Sequence, residues 1–503
     1  MINLHRLLDL PILVILMGAG CAVMVLPAAY AVALGQFDVA RAFFYSGCVL
    51  LVLTAMIALA TASHRAGDRE QGLLLTVVCS YILVPVILAV PLHQSVPELS
   101  FHAAWFEMIS CFTATGATVF AVPETLADPI HFWRALIGWL GGFYTLLVVT
   151  SVLAPLGLGG VELLVGRSQV RAGPAHQRGR TAGLSQRMFH FAALLFPIYA
   201  GLTLALWVAL LVAGDTALIA LCHAMGTLST SGISSVSGLV DAQSGFVGEA
   251  LIVLCLGFAL SRRLWPVAGM TDKTIPPLRD PELGLAFCIV GAVTVVLILR
   301  LFALGYGDAI LSAVYPTLGA VWAMAFTSLS FLTTTGFQSA AWPDLGMPGL
   351  LLMGLAMIGG GVATTAGGVK LMRVYALLRH GERELERIVH PHSIGGHGPV
   401  ARRLRREGAY LAWIYFMVFG LSIAAVTVAL TLFGLGFENA FILGIACLST
   451  TGQLATVVGN TPILYGDLGA GPMGILGIAM ILGRLEILAV VGLLVPKGWS
   501  GQT

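Results

Sequence analysis

The chain of 503 residues is 58% hydrophobic and only 10% charged, and its mean hydropathy is +0.94. A soluble globular chain carries about 25% charged residues, so this composition excludes a water-soluble body and indicates that lipid is the solvent. A formal net charge of +2 also argues against a nucleic-acid-binding protein, whose basic surface needs a larger excess of Lys and Arg.

Ten apolar runs are long enough to cross about 30 Å of hydrocarbon, which takes about 20 helical residues. The first run follows Arg6 like a signal peptide, but it continues to Leu34 and is expected to remain as a membrane helix. The eight cysteines stand singly in apolar runs, which is typical of small buried hydrophobic residues and not of zinc or disulfide frameworks. The predicted spans are residues 9–34, 40–62, 71–92, 130–157, 187–213, 244–265, 283–304, 347–378, 408–433 and 470–496.

Four shorter apolar stretches lie between these spans. Their length suits half-helices that enter the membrane and return to the same side. If the N-terminus is cytoplasmic, 21 of the 26 Lys and Arg residues fall on the cytoplasmic side, as the positive-inside rule requires. The sequence therefore predicts a cytoplasmic N-terminus, with all four half-helices entering from outside. The stretches are residues 101–114, 217–230, 317–334 and 438–451.

Each short stretch ends in a similar turn, rich in hydroxyl groups and closed by a glycine. The four glycines are 116, 104 and 116 residues apart, which indicates a four-fold internal duplication preceded by two extra helices. The predicted divisions are 1–66 for the N-terminal helices and 67–170, 171–275, 276–400 and 401–503 for pore repeats 1 to 4. The turn residues are Thr113, Ala114, Thr115, Gly116, Ser229, Thr230, Ser231, Gly232, Thr333, Thr334, Thr335, Gly336, Ser449, Thr450, Thr451 and Gly452.

These turns have the chemistry of a cation filter. A helix C-terminus carries about half a negative charge, which favours a cation near the middle of the membrane. A glycine can adopt positive φ, so successive carbonyl oxygens can point at a shared axis and replace the water shell of a monovalent ion. None of the four turns contains the Asp or Glu that divalent-ion sites usually recruit. One such turn alone is an ordinary loop or cap, but four at matching places predict a selectivity filter.

Three features together identify a known pattern: the four turns, the run from Gly359 to Lys370, and the Gly483-Arg484-Leu485-Glu486 segment. With them, the sequence resembles the TrkH branch of the TrkH/KtrB/HKT potassium transporters. The resemblance covers essentially the whole chain. It implies an all-α polytopic membrane protein with ten transmembrane helices: four pseudo-symmetric helix–pore-loop–helix repeats plus two N-terminal helices. It implies potassium as the transported ion, because glycine occupies all four filter positions. The flanking residues differ between repeats, so some sodium leakage stays open.

The resemblance also implies a setting and partners for the protein. The expected location is the bacterial cytoplasmic (inner) membrane, and the expected assembly is a homodimer in which each chain has its own pore. A cytosolic, TrkA-like nucleotide-binding ring is the expected regulatory partner. No phosphate loop and no G-x-G-x-x-G after a strand occur in this sequence, so a regulatory nucleotide would bind that partner.

Two features are expected below the filter. By resemblance, the glycine-rich run forms an intramembrane gating loop; close packing through small residues is the alternative. Each glycine weakens a helix by about 1 kcal/mol relative to Ala, so this run can unwind. By resemblance, Arg484 faces the pore and limits cation occupancy. The alternative is a pairing with Glu486 or with helix-end carbonyls, although a spacing of two residues disfavours Glu486. The gate residues are Gly359, Gly360, Gly361, Gly367, Gly368 and Lys370.

Charged residues elsewhere carry weaker indications. Twelve Asp and Glu residues face three Arg on the outer side, which predicts cation enrichment at the mouth unless the positive-inside bias alone explains them. Two of these acids, Glu107 and Glu438, belong to the pore half-helices, and bracing those helices is their alternative role. In the inner loop at 379–406, the histidines His390, His392 and His397 indicate a solvated loop more than a metal site.

Several competing functions stay open from the sequence. A sodium- or proton-coupled potassium symporter and a less selective monovalent cation channel share the same architecture. A secondary transporter with broken helices would usually show two inverted halves, whereas these repeats are four and parallel. An intramembrane enzyme using His102 or Glu107 would need a paired acid–base site, which the sequence does not offer, so no enzymatic activity is expected.

Overall fold

The computed structural model is helical throughout the part of the chain that it describes, and no β-strand occurs there. Lipid offers no hydrogen bonds to a backbone, so a membrane segment must satisfy its polar groups internally, as a helix does. The predicted all-α polytopic fold is confirmed. The described residues are 10–61, 70–156, 160, 184–236, 238–239, 242–265, 280–303, 314–342, 348–390, 407–458 and 462–494.

Two N-terminal helices precede the repeats, as predicted. Gly47 lets them approach closely, because a Cβ there would lie 3.4 Å from the carbonyl oxygen of Cys21. The second helix leaves Leu59 81% exposed, which is typical of a surface that faces lipid. The first helix consists of Ile12–Val23 and Val25–Ala33, and the second is Phe37–Thr61.

Four similar units follow, each with a first helix, a short pore helix and a last helix. The first helices are Glu70–Ser95, Leu184–Ala213, Pro281–Ala303 and Glu407–Leu432. The pore helices, numbered 1 to 4 in chain order, are Phe101–Phe112, Ala217–Ser229, Val314–Leu332 and Phe437–Leu448. The last helices begin as Asp128–Val148, Gly245–Leu260, Gly349–Ile358 and Ala470–Leu485. The predicted boundaries between repeats fall on residues outside the described ones and stay predictions.

The last helix of every unit becomes irregular toward its C-terminal end. In unit 1 it passes into a π-helical turn, Val149–Leu153, and in unit 2 it stops at Leu260 before a short 3₁₀ turn. In unit 3 it is interrupted and resumes as Leu371–Val389, and in unit 4 it breaks at Glu486, whose φ is 65°, before Ile487–Leu494.

This irregularity distinguishes three of the ten predicted spans from the other seven. Among the described residues, seven helices are long and apolar enough to cross a membrane. The other three predicted spans, 244–265, 347–378 and 470–496, are shortened or broken helices, because extended or positive-φ backbone at their C-terminal ends stops the helical hydrogen bonding.

Glycines in the last helices bring the pore helices to the centre of the bundle. A Cβ at Gly141 would lie 2.1 Å from the carbonyl oxygen of Phe112, at the end of pore helix 1. At the matching place in unit 4, a Cβ at Gly483 would lie 2.1 Å from the carbonyl oxygen of Leu448, at the end of pore helix 4. Any other residue would push the two helices apart, so these glycines fix the depth at which the pore helices end.

Candidate functional site

All four pore helices end in the same hydrogen-bonded motif. The third residue of each turn donates its N–H to a carbonyl five residues earlier: Thr115 to Ser110, Ser231 to Gly226, Thr335 to Ser330 and Thr451 to Ala446, at 2.8–2.9 Å. The second residue of each turn has a left-handed conformation, with φ of 51°, 54°, 61° and 54° at Ala114, Thr230, Thr334 and Thr450. This combination is the Schellman motif.

The Schellman motif reverses the chain without help from glycine. A left-handed conformation costs a non-glycine residue about 1–2 kcal/mol, so the surrounding contacts must hold it at all four places. Sequence reasoning placed the positive φ only on the closing glycine and missed the residue two positions earlier. Ala and Thr give no signal for it; only the structural equivalence of the four turns reveals it.

Hydroxyl groups stiffen each turn from within. The first hydroxyl side chain of a turn donates back to its own pore helix, as Thr113 does to the carbonyl of Ile109 at 2.8 Å. It also bonds the hydroxyl two residues later, at 2.8 Å between Thr113 and Thr115 and 2.9 Å between Ser229 and Ser231. The same pairs occur in turns 3 and 4, at 3.1 and 3.4 Å. The side-chain oxygens therefore serve the scaffold, and the main-chain carbonyls are left as the candidate ligands.

The closing glycines bring neighbouring turns into direct contact. A Cβ added to Gly116 would lie 2.0 Å from the carbonyl oxygen of Ser231. A Cβ on Gly232 would lie 2.0 Å from the carbonyl oxygen of Thr335. These contacts join turn 1 to turn 2 and turn 2 to turn 3 so closely that only glycine fits.

Turn 4 is not equivalent to the other three, which corrects the prediction of four matching glycines. Gly116, Gly232 and Gly336 have φ of 74°, 60° and 80°, but Gly452 does not have a positive φ. The Gly452 N–H donates to the carbonyl of Thr115 at 2.7 Å, and its carbonyl accepts the hydroxyl of Tyr465 at 3.0 Å. A buried tyrosine hydroxyl needs a partner, and here it takes the carbonyl that the sequence assigns to the filter.

The predicted interruption from Gly359 to Lys370 is present, and it lies against the C-terminal ends of the pore helices. The Thr230 hydroxyl donates to the carbonyl of Thr365 at 2.8 Å. The Gly367 N–H donates to the Thr334 hydroxyl at 2.8 Å, and a Cβ at Gly367 would lie 2.1 Å from the Thr450 hydroxyl oxygen. The loop thus contacts the left-handed threonine of three turns; in turn 1 this position is an alanine.

Close backbone contacts hold the loop in shape. Gly359 and Gly368 have φ of 74° and 76°, and a Cβ at Gly359 would lie 2.1 Å from the carbonyl oxygen of Gly367. The Gly361 N–H donates to the carbonyl of Ala259 in unit 2 at 2.9 Å. Lys370 has φ of 83°, and its ammonium group donates to the carbonyl of Ala366 within the loop. The loop is therefore a folded structure and not a helix packed through small residues.

Arg484 joins this loop to unit 1. Its Nε donates to the Thr145 hydroxyl at 2.9 Å, and Nη1 donates to the carbonyl of Thr365 at 2.5 Å. Glu486 instead forms a buried ion pair with Arg373 at 2.7 Å, in agreement with the expectation that it is not the partner of Arg484. A cavity beside the loop is lined by Thr145, Gly367, Lys370, Arg484 and Glu486.

Buried acids brace the segments that follow the turns. Glu107 forms an ion pair with Arg134 at 2.7 Å and accepts the N–H of Val119 at 2.8 Å. Glu249 accepts the N–H of Ala340 at 2.8 Å, and Asp215 accepts two N–H groups after turn 2. All three belong to the twelve outer acids predicted at the mouth, but they are less than 6% exposed and serve as structural acceptors, which for Glu107 is the bracing role left open by the sequence.

Some expectations fall outside the described residues. They include three of the mouth acids, Asp241, Asp308 and Asp344, and most of the basic inner loops. His392 and His397 also lie outside, while His390 is described and exposed.

Comparisons with known proteins agree with this architecture. A TrkH family model, described as "Cation transport protein", matches residues 40–238 and 279–499. The Trk system potassium uptake proteins TrkH of Vibrio parahaemolyticus and Halomonas elongata are 29% and 30% identical over 465 and 413 residues. The matched residues make up 90% of this chain and of the Vibrio protein, and 79% of this chain and of the Halomonas protein. The crystal structure of the potassium transporter TrkH from Vibrio parahaemolyticus matches with a TM-score of 0.81 at 26% identity, over 98% of this chain and 99% of that one. This protein belongs to the TrkH family of cation transport proteins.

Proposed function

We propose that this protein takes up potassium across the bacterial cytoplasmic membrane through the four filter turns. The observation that carries the proposal is the convergence of four identically terminated pore helices, whose C-terminal dipoles and carbonyl oxygens favour a cation at their meeting point. The relatives named as potassium uptake proteins support potassium as the ion. All sixteen turn residues lack a carboxylate, which suits a singly charged ion.

The Gly359–Lys370 loop is the proposed gate. It lies directly against Thr230 and Thr334, so an ion leaving the filter must displace it. Arg484 holds the loop through Thr365 and adds a positive charge at the same level, which disfavours a second cation there. Opening then requires only the loss of a few hydrogen bonds, while the buried Arg373–Glu486 pair keeps the surrounding helices in place.

The remaining parts of the proposal concern direction and partners. The excess of Lys and Arg in the predicted inner loops supports a cytoplasmic N-terminus, with pore helices that begin outside and a gating loop that faces inward. The membrane potential then supplies about 2.3 kcal/mol per charge for each 100 mV. A homodimer with one pore per chain and a TrkA-like nucleotide-binding ring that pulls the gating loop open complete the proposed assembly. A sodium- or proton-coupled symporter is the second candidate, since the same filter would serve it.

Flux into proteoliposomes tests the proposal. Purified protein should admit potassium and rubidium faster than sodium under an inside-negative potential, without a pH or sodium gradient. Gly336→Ser should abolish the flux, because a side chain there meets Gln453 and strains a backbone with φ of 80°. Gly284→Ala is the control, since a Cβ at Gly284 meets nothing within 4 Å. Unaltered flux and selectivity in Gly336→Ser would contradict the proposal, and a strict need for a proton or sodium gradient would favour the symporter.

A further inference from the structure

The fourth filter turn lacks the positive φ that the closing glycines of the other three turns share. The carbonyl of Gly452 accepts the hydroxyl of Tyr465, and Tyr465 is itself only 1% exposed. The N–H of Gly452 is also engaged, with the carbonyl of Thr115. If the Gly452 carbonyl turned toward the axis, its hydrogen bond with the Tyr465 hydroxyl would break in the protein interior, where the loss of a hydrogen bond is costly. At the level of the closing glycines, the main-chain oxygen of turn 4 is therefore already engaged by a hydrogen bond inside the protein.

The side chain of the next residue, Gln453, reaches the other three turns. The Gln453 Nε2 group donates to the carbonyl oxygens of Gly232 at 2.9 Å, Ser231 at 3.1 Å and Gly116 at 3.5 Å. The other end of the amide lies toward turn 3, where Oε1 is 2.8 Å from the Cβ position of Gly336. A single glutamine from unit 4 thus reaches all three closing glycines of the other units.

The two ends of this amide are not equally satisfied. Nε2 has three carbonyl contacts, whereas Oε1 is buried and accepts no hydrogen bond from the described residues. The terminal torsion of a glutamine is broad and roughly two-fold, so half a turn exchanges the two ends at little cost. The exchange would put an amide oxygen, chemically similar to a main-chain carbonyl, among the carbonyls of Gly116, Ser231 and Gly232.

We infer that Gln453 is a specificity-determining residue, whose side-chain amide oxygen replaces the Gly452 carbonyl as the fourth ligand of the outermost potassium site. When an ion enters, the amide turns and Oε1 faces it; when the ion leaves, Nε2 bonds the carbonyls of Gly116 and Gly232 and offsets their mutual repulsion. The inference rests on the proposed filter and adds to it the residue that completes the ring.

The role requires both the amide oxygen and the full length of the side chain. Gln453→Leu keeps the volume but removes the oxygen, and Gln453→Asn keeps an amide that is one methylene too short to reach. Gln453→Glu keeps the reach and the oxygen and adds a negative charge. Gln243→Leu is the matched control, because that glutamine side chain is exposed and lies outside the turns.

Rubidium uptake, with potassium and sodium as competitors, measures the effect in proteoliposomes. The Leu and Asn variants should each lose about tenfold in the preference for potassium over sodium, as expected for one charge-assisted contact. The Glu variant should keep the preference and become sensitive to barium, which the carboxylate would hold in the ring. The control should match the unsubstituted protein.

The outcomes separate the inference from the proposed function. Leu and Asn variants that both discriminate as well as the unsubstituted protein would overturn the inference while leaving the filter intact. If the Leu variant fails to fold, the Asn variant alone decides the matter. Absence of cation flux from the unsubstituted protein would instead overturn the proposed function. Loss of discrimination in Gln243→Leu as well would show a general effect of glutamine loss and overturn the specific role.

Discussion

Replacing Gly232 by alanine should damage the filter while leaving the rest of the bundle folded. The new Cβ would lie 2.0 Å from the carbonyl oxygen of Thr335 and 2.5 Å from Nε2 of Gln453. Ordinary contact begins near 3.4 Å, so the carbonyl must move by about 1.4 Å. The backbone at Gly232 has φ of 60°, which adds about 1–2 kcal/mol of strain for a residue with a side chain.

The displaced carbonyl belongs to the ring that replaces the hydration shell of the ion. Loss of one charge-assisted contact reduces occupancy about tenfold, so rubidium uptake should fall at least that far and sodium discrimination should weaken. The substituted protein should still elute as a folded species in detergent, because the four Schellman motifs do not depend on this residue.

Gly201→Ala is the matched control for this change. A Cβ at Gly201 meets nothing within 4 Å, and the residue lies exposed within the first helix of unit 2, where alanine also favours the helix. Uptake should be unchanged. Rubidium uptake by folded Gly232→Ala that equals the control, with the same sodium discrimination, would refute the reasoning about close approach between turns 2 and 3.

Two further substitutions test the region below the filter. Arg484→Gln shortens the link to the loop at Thr365, so flux without any cytosolic partner should rise; flux below that of the unsubstituted protein would count against a restraining role. Glu486→Gln removes the charge opposite the buried guanidinium of Arg373, which should cost about 3 kcal/mol and lower the thermal unfolding midpoint. Arg379→Ala, at an exposed ion pair, should barely shift that midpoint, and equal shifts in both variants would contradict the assignment.

The sequence predicted the features that depend on local pattern. Hydropathy located the pore helices to within a few residues, and the glycine-rich run predicted the break between Ile358 and Leu371. The spacing of Arg484 and Glu486 also predicted correctly that they do not pair. All of these depend on properties carried by neighbouring residues, which a single sequence displays directly.

The features that the sequence did not reveal depend on contacts between distant residues. The Gly452 carbonyl accepts a hydrogen bond from the hydroxyl of Tyr465, a partner 13 residues away that the sequence pattern of the turn does not reveal. Gln453 has carbonyl partners 221, 222 and 337 residues away. The acids Glu249 and Asp215 are predicted as mouth charges, and only their buried partners show that they are structural acceptors. Tertiary contacts overrode the apparent four-fold equivalence.

The position of a heavy monovalent cation bound to the protein tests the filter most directly. Crystals grown with rubidium or thallium should show anomalous density in the space between the four filter turns, with the Gln453 amide beside the outermost peak. Density confined to other parts of the molecule, with the space between the four turns empty of cation, would contradict ion passage through this ring.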